Sequence, residues 1–171
     1  MIKKLFPTLD AWLFIMSVVI ALTACTPPRF PLQITDLSAT PEPVVGQTVT
    51  LYIEIMSTKD EPNTTIEVYL PEAVKLMDGD LVWQGSLTAN QPQAHEVSVC
   101  VLFEGDWRVE VESRSYQSEN DSYGDLETIH FISTAITGRS VPGSKYHYTQ
   151  DPNRISPSTP FPDEPPPDVC P

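Results

Sequence analysis

In four segments of the stretch 48–113 apolar residues recur at every second position, and nowhere between Arg29 and Ala135 does a long 3.6-residue period replace that alternation. Val49, Leu51, Ile53 and Ile55 alternate with Thr48, Thr50, Tyr52 and Glu54. Ile66, Val68 and Leu70 alternate with Thr65, Glu67 and Tyr69. Val97, Val99, Val101 and Phe103 share one parity, as do Trp107, Val109 and Val111 against Arg108, Glu110 and Glu112. Successive side chains of a strand point to opposite faces, so each segment reads as a strand with one buried side. The expected strands are Thr48–Met56, Thr64–Leu70, Leu81–Leu87, Glu96–Phe103 and Trp107–Ser113, with less regular ones near Leu32–Leu37 and Glu127–Ser133.

Turn chemistry falls between them. Pro41-Glu42-Pro43 and Gly46 precede the second strand, Lys59-Asp60-Glu61-Pro62-Asn63 follows it, and Asp78-Gly79-Asp80 and Asn90-Gln91-Pro92 bracket Leu81–Leu87. Glu104-Gly105-Asp106 reads as a short hairpin loop between two strong strands. About seven short strands with polar turns predict an all-β, antiparallel β-sandwich over residues 32–136, a length within the single-domain range. Trp107, on the inward parity, is expected in the core, and Trp107→Ala to cost about 3–5 kcal/mol.

The first 24 residues follow different rules. Met1-Ile2-Lys3-Lys4 is basic, and Ala11–Leu22 is a run poor in polar groups. Twelve helical residues span about 18 Å, short of the roughly 30 Å of a hydrocarbon core. That combination is a signal-peptide h-region, not a permanent span. Leu22-Thr23-Ala24-Cys25 resembles the lipobox of bacterial lipoproteins. The resemblance implies cleavage before Cys25 and a diacylglyceryl group on its thiol, with 1–24 as the signal peptide. Two or more acyl chains hold a protein firmly at a membrane. Residues 25–31, with Pro27-Pro28, then form an extended lipidated tether.

Within the predicted sandwich, Thr40-Pro41-Glu42-Pro43-Val44-Val45-Gly46-Gln47-Thr48-Val49-Thr50-Leu51 opens a pattern continued by Val68-Tyr69-Leu70-Pro71 and by Gly105-Asp106-Trp107-Arg108-Val109-Glu110-Val111. The pattern resembles bacterial immunoglobulin-like surface domains such as cell-adhesion-related repeats, and covers most of residues 32–115. It implies an immunoglobulin-like fold and no activity. The inter-sheet disulfide of antibody domains has no counterpart, because one cysteine lies in the domain.

After Thr137 the composition shifts. Half of the chain's 18 prolines lie in Gly138–Pro171, and few large aliphatic side chains remain. Residues 137–171 are therefore expected to form a Pro-rich, acidic, disordered tail. The net charge is −13, and the first 24 residues contribute only Lys3, Lys4 and Asp10, so the remainder is more acidic still. That balance opposes nucleic-acid binding, which needs Lys and Arg against phosphate.

Cys100 lies on the outward parity of its strand and Cys170 one residue from the end. A bond between them, free thiols, or a dimer through Cys170 are all open at this point. His95, His130 and His147 are too scattered for a metal site. Asp78-Gly79-Asp80 and Glu119–Asp125 are acidic but lack EF-hand spacing. The second, as the longest polar loop in the domain, is the first candidate for a binding surface. No nucleophile elbow, phosphate loop or zinc-protease motif occurs, so no catalytic, cofactor or metal residue is assigned. The one assigned site is lipidation at Cys25. The reading that follows is a membrane-anchored, extracytoplasmic, non-enzymatic binding module, held by membrane lipid through acylated Cys25, with an unspecified protein or glycan partner. The alternative is an accessory ligand- or calcium-binding lipoprotein of a transporter or envelope enzyme.

Overall fold

The computed structural model describes residues 30–118, 121–143 and 169–170. Nine strands follow one another: β1 (Leu32–Thr40), β2 (Thr48–Ser57), β3 (Glu61–Tyr69), β4 (Val74–Asp78), β5 (Val82–Leu87), β6 (Gln93–Val101), β7 (Gly105–Ser118), β8 (Asp121–Ser133) and β9 (Gly138–Pro142). They form two antiparallel sheets, ordered β1-β2-β6-β4 and β5-β3-β7-β8-β9. With β5 and β9 set aside, the first sheet holds the first, second, fifth and fourth strands and the other holds the third, sixth and seventh. That is the strand order of an immunoglobulin-like sandwich, with β5 and β9 added at the two edges of the second sheet.

The period-two stripes are the core. Val49, Leu51, Ile53 and Ile55 of β2 are fully buried, as are Ile66, Val99, Val101, Val109, Val111 and Phe131; Val68, Val97 and Ile129 are buried with them. Burial of aliphatic side chains of this size stabilises by roughly 1.5–3 kcal/mol each before chain entropy is counted. Trp107 is half-buried at the margin of this core, its indole N–H donating to the Phe103 carbonyl at 2.8 Å.

Four features differ from expectation. Glu104-Gly105-Asp106 is not a hairpin loop. Glu104 lies in the crossing from β6 in one sheet to β7 in the other, and Gly105 and Asp106 open β7, because the two strong strands bury their apolar faces against each other instead of pairing edge to edge. Val74–Asp78 is a strand, β4, paired with β6; its five residues carry too short an alternation to stand out in the sequence. Of the polar loop expected over 119–125, residues 121–125 are strand, and 119 and 120 lie outside the described residues. β7 and β8 pair without a break from Gly105↔Ser133 to Tyr116↔Ser122 and, after a register shift, at Ser118↔Asp121, with Ser113 and Ser115 taking the buried parity begun by Val109 and Val111. The sheet also runs past residue 136: Gly138–Pro142 pairs with β8, its amides finding partners where a solvated tail would offer water.

Cys100 points outward, as its parity requires, yet is fully buried. Cys170 is bonded to it, with Cα atoms 6.1 Å apart across a sequence separation of 70. The end of the chain therefore lies on the outer side of the β2-β6 pair. Gly46, at φ +79°, makes room for it, since a Cβ there would stand 2.7 Å from the Val169 carbonyl oxygen. The signal segment, Cys25 and residues 26–29 of the tether lie outside the described residues, as do 144–168 of the tail; Phe30 is exposed, and the Pro31 carbonyl accepts the Thr58 amide at 3.0 Å.

Candidate functional site

The apolar stripes do not run the full length of the sandwich. Toward the end where β7 turns into β8, the buried positions become Ser57, Glu61, Thr64, Ser113 and Ser115. A carboxylate excluded from water must be surrounded by donors, and Glu61 is. Its Oε2 accepts from Ser115 Oγ at 2.6 Å and from Gln117 Nε2 at 2.9 Å. Its Oε1 accepts from Ser57 Oγ at 3.3 Å and from the Tyr123 hydroxyl. Lys59 Nζ lies 3.8 Å from the same oxygen and 4.9 Å from the centre of the Tyr123 ring.

Three strands and one turn thus meet at a single side chain. Burial pushes the Glu61 carboxyl up, but the Ser115, Tyr123 and Gln117 hydrogen bonds and the Lys59 charge outweigh it and hold the group below the ordinary glutamate value. Tyr123 is raised, first by burial and then by its bond to the Glu61 carboxylate. Lys59 is raised, first by its side-chain bond to Tyr123, with burial opposing and Glu61 assisting. Both oxygens of Glu61 are engaged, so chemically the group is a clamp: it neutralises and orders donors from β2, β7 and β8. Thr64 Oγ1, cross-strand from Ser115, is buried without a hydrogen-bond partner in this polar end, as is Ser133 Oγ elsewhere in the domain.

Of the acidic stretch singled out in the sequence, Asp121 is exposed and Asp125 is half-buried and bonded within the domain. Asp125 Oδ2 accepts the Ile34 amide of β1 at 3.0 Å and its Oδ1 accepts the Leu126 amide at 3.0 Å. The β1 ladder is irregular between Ile34 and Asp36, which leaves that amide for a partner in the opposite sheet. Asp78 and Asp80 are exposed, flanking Gly79 at φ +89°. His95 Nε2 lies 2.8 Å from the Asp80 carbonyl and His130 Nδ1 lies 2.8 Å from Asp106 Oδ1; the structure does not bring these histidines together. Among the described residues no group of three or more His, Cys, Asp or Glu is placed to hold a metal ion.

In the sequence Lys59–Asn63 reads as a turn and Tyr123 falls in the acidic loop named as a candidate binding surface, while Ser115 and Gln117 carry no assignment. Two shallow grooves flank the cluster on the outer face of the second sheet. One, of about 420 Å³, is lined by Pro62, Thr65, Gln84 and Tyr116 among others. The other, of about 340 Å³, is lined by Glu112, Arg114, Asp125 and Leu126 among others.

No family model matches the chain, and no curated protein matches it. Solved structures with similarity include the C-terminal domain of wzt, 12% identical, covering 71% of this chain and 85% of that one at a TM-score of 0.44. A conjugative transposon lipoprotein from Bacteroides eggerthii DSM 20697 is 17% identical, covering 58% of this chain and 97% of that one at 0.34. The ASH / PapD-like domain 7 of human CEP192 is 13% identical, covering 81% and 98% at 0.41. The assignment of an immunoglobulin-like sandwich rests on the strand order of the two sheets.

Proposed function

We propose that the chain is an extracytoplasmic lipoprotein, anchored through acylated Cys25, whose sandwich is a non-enzymatic module for binding a protein or glycan partner. The observation that carries the reading is the Cys100–Cys170 disulfide. Such bonds persist in oxidising compartments and are rare where thiols are kept reduced. An oxidised pair downstream of a basic, apolar, Cys-terminated leader agrees with export, which the lipobox resemblance implies independently. A sandwich whose buried Glu61 carboxylate is saturated by its own donors offers partners its loops, edges and outer faces.

Metabolic labelling of the chain with a palmitate analogue, in parallel with Cys25→Ser, tests the anchor. Wild type is expected to carry label and fractionate with membranes, and the serine variant to lose both. Equal fractionation of the two would overturn the anchor. Thiol labelling before and after reduction tests the compartment: Cys100 and Cys170 are expected to react only after reduction. Free thiols in freshly isolated cells would remove the support for export.

A further inference from the structure

Among the described residues four strands stand at sheet edges: β1 and β4 in one sheet, β5 and β9 in the other. An edge offers unpaired amides and carbonyls as a template for another chain, and proteins blunt edges with charges, prolines, bulges or caps. Three of the four are blunted. In β1 the ladder slips between Ile34 and Asp36, and Asp125 caps the freed Ile34 amide. In β9 the Ser140 amide donates to Glu42 Oε2 at 2.6 Å, and the strand carries Arg139 and ends at Pro142. In β4 the strand is five residues long, carries Lys75 and Asp78, and slips between Leu76 and Asp78.

β5 is the least blunted of the four. Val82-Trp83-Gln84-Gly85-Ser86-Leu87 contains no charge and no proline; residues 82–85 pair with β3 in unbroken register, and the irregularity of that ladder falls between Glu61 and Thr64, with its extra residue on β3 and not on β5. Val82 is 49% exposed, one of few large apolar side chains of the domain in that state. The Val68 amide bonds to the Leu81 carbonyl, and pairing alternates along an antiparallel ladder. Trp83 and Gly85 therefore turn their backbone groups toward β3, while Val82, Gln84 and Ser86 turn theirs outward.

We infer that the β5 edge pairs antiparallel with β5 of a second copy of this chain, about a two-fold axis at Gln84. In that register Gln84 faces Gln84, Val82 faces Ser86 and Trp83 faces Gly85 of the second copy. Each opposed pair keeps its face of the sheet, and the outward backbone groups of three residues find partners on each side. A second copy is the occupant because the strand is complementary to itself, and because an uncharged edge is where two chains of net charge −13 meet with least repulsion.

Sedimentation of the full chain in a density-matched detergent reads the association. Wild type is expected to be dimeric at micromolar to high-micromolar concentration. Gln84→Lys and Gln84→Glu each place like charges directly opposite and are expected to weaken the dimer about tenfold or more while melting close to wild type. A one-to-one mixture of the two is expected to recover association, because residue 84 then faces its opposite charge. Val82→Lys, at a half-exposed position, repeats the loss should either variant at 84 misfold. A chain that stays monomeric, a dimer indifferent to all three substitutions, or a mixture that does not recover would each overturn the inference. So would a monomer that instead takes up an added extended peptide along β5.

Discussion

Replacing Glu61 by alanine removes the acceptor shared by Ser57, Ser115, Gln117 and Tyr123 and the counter-charge of Lys59. Ser57 and Ser115 are fully buried and would be left in a space without a carboxylate. Breaking a buried charge network costs about 3–5 kcal/mol, and each hydrogen bond to a charged group contributes about 1.5–3 kcal/mol. The cluster reaches water through Lys59, which is 49% exposed, so solvent screening places the loss near the lower bound, about 3 kcal/mol. For a domain of this size that is a fall in Tm of roughly 15 °C.

The same carboxylate adds a pH dependence. Its folded-state pKa is depressed, so its stabilisation is complete above the unfolded glutamate value near 4.3 and is lost as pH falls through the folded value. Thermal unfolding followed by circular dichroism, for wild type, Glu61→Ala and Glu61→Gln between neutral pH and pH 3, measures both effects. The gap between wild type and Glu61→Gln is expected to be widest at neutral pH and to close in acid, by at most about 1.4 kcal/mol per pH unit. An alanine variant melting within a few degrees of wild type, or a gap unchanged in acid, would refute the clamp.

Phe131→Ala, at a fully buried position, is expected to cost about 3–5 kcal/mol in urea unfolding, more than Trp107→Ala at its half-buried place; the reverse order would show that the core is centred elsewhere. Asp125→Ala is expected to cost about 1–2 kcal/mol by orphaning the Ile34 amide, seen as faster hydrogen exchange at Ile34 with the rest of β1 unchanged. Gly46→Ala is expected to destabilise by more than about 1 kcal/mol, through strain at φ +79° and collision with Val169, and to speed reduction of Cys100–Cys170; an unchanged reduction rate would separate Gly46 from the seating of the C-terminus.

The two groups of strands were not equally legible. β2, β3, β6 and the first half of β7 appear in the sequence because water alone decides which parity of Val, Ile and Leu is buried, and that parity survives any arrangement of the strands. β4 and β9 were hidden by their brevity. The distal half of the β7-β8 ribbon was hidden by its polar inward residues, because Ser115 resembles a loop residue until Glu61 arrives from a strand more than fifty positions away. Glu61 itself reads as part of a charged turn, and nothing local announces that four donors converge on it.

Local alternation was enough to determine an all-β sandwich and the identity of most core residues, since burial of one face is a property of each strand separately. Which strands pair, which sheet each joins, where Cys100 meets Cys170 and which side chains cap the β1 and β9 edges depend on contacts between distant segments. Those contacts are chosen only when the two faces close on each other, so only the tertiary structure decides them.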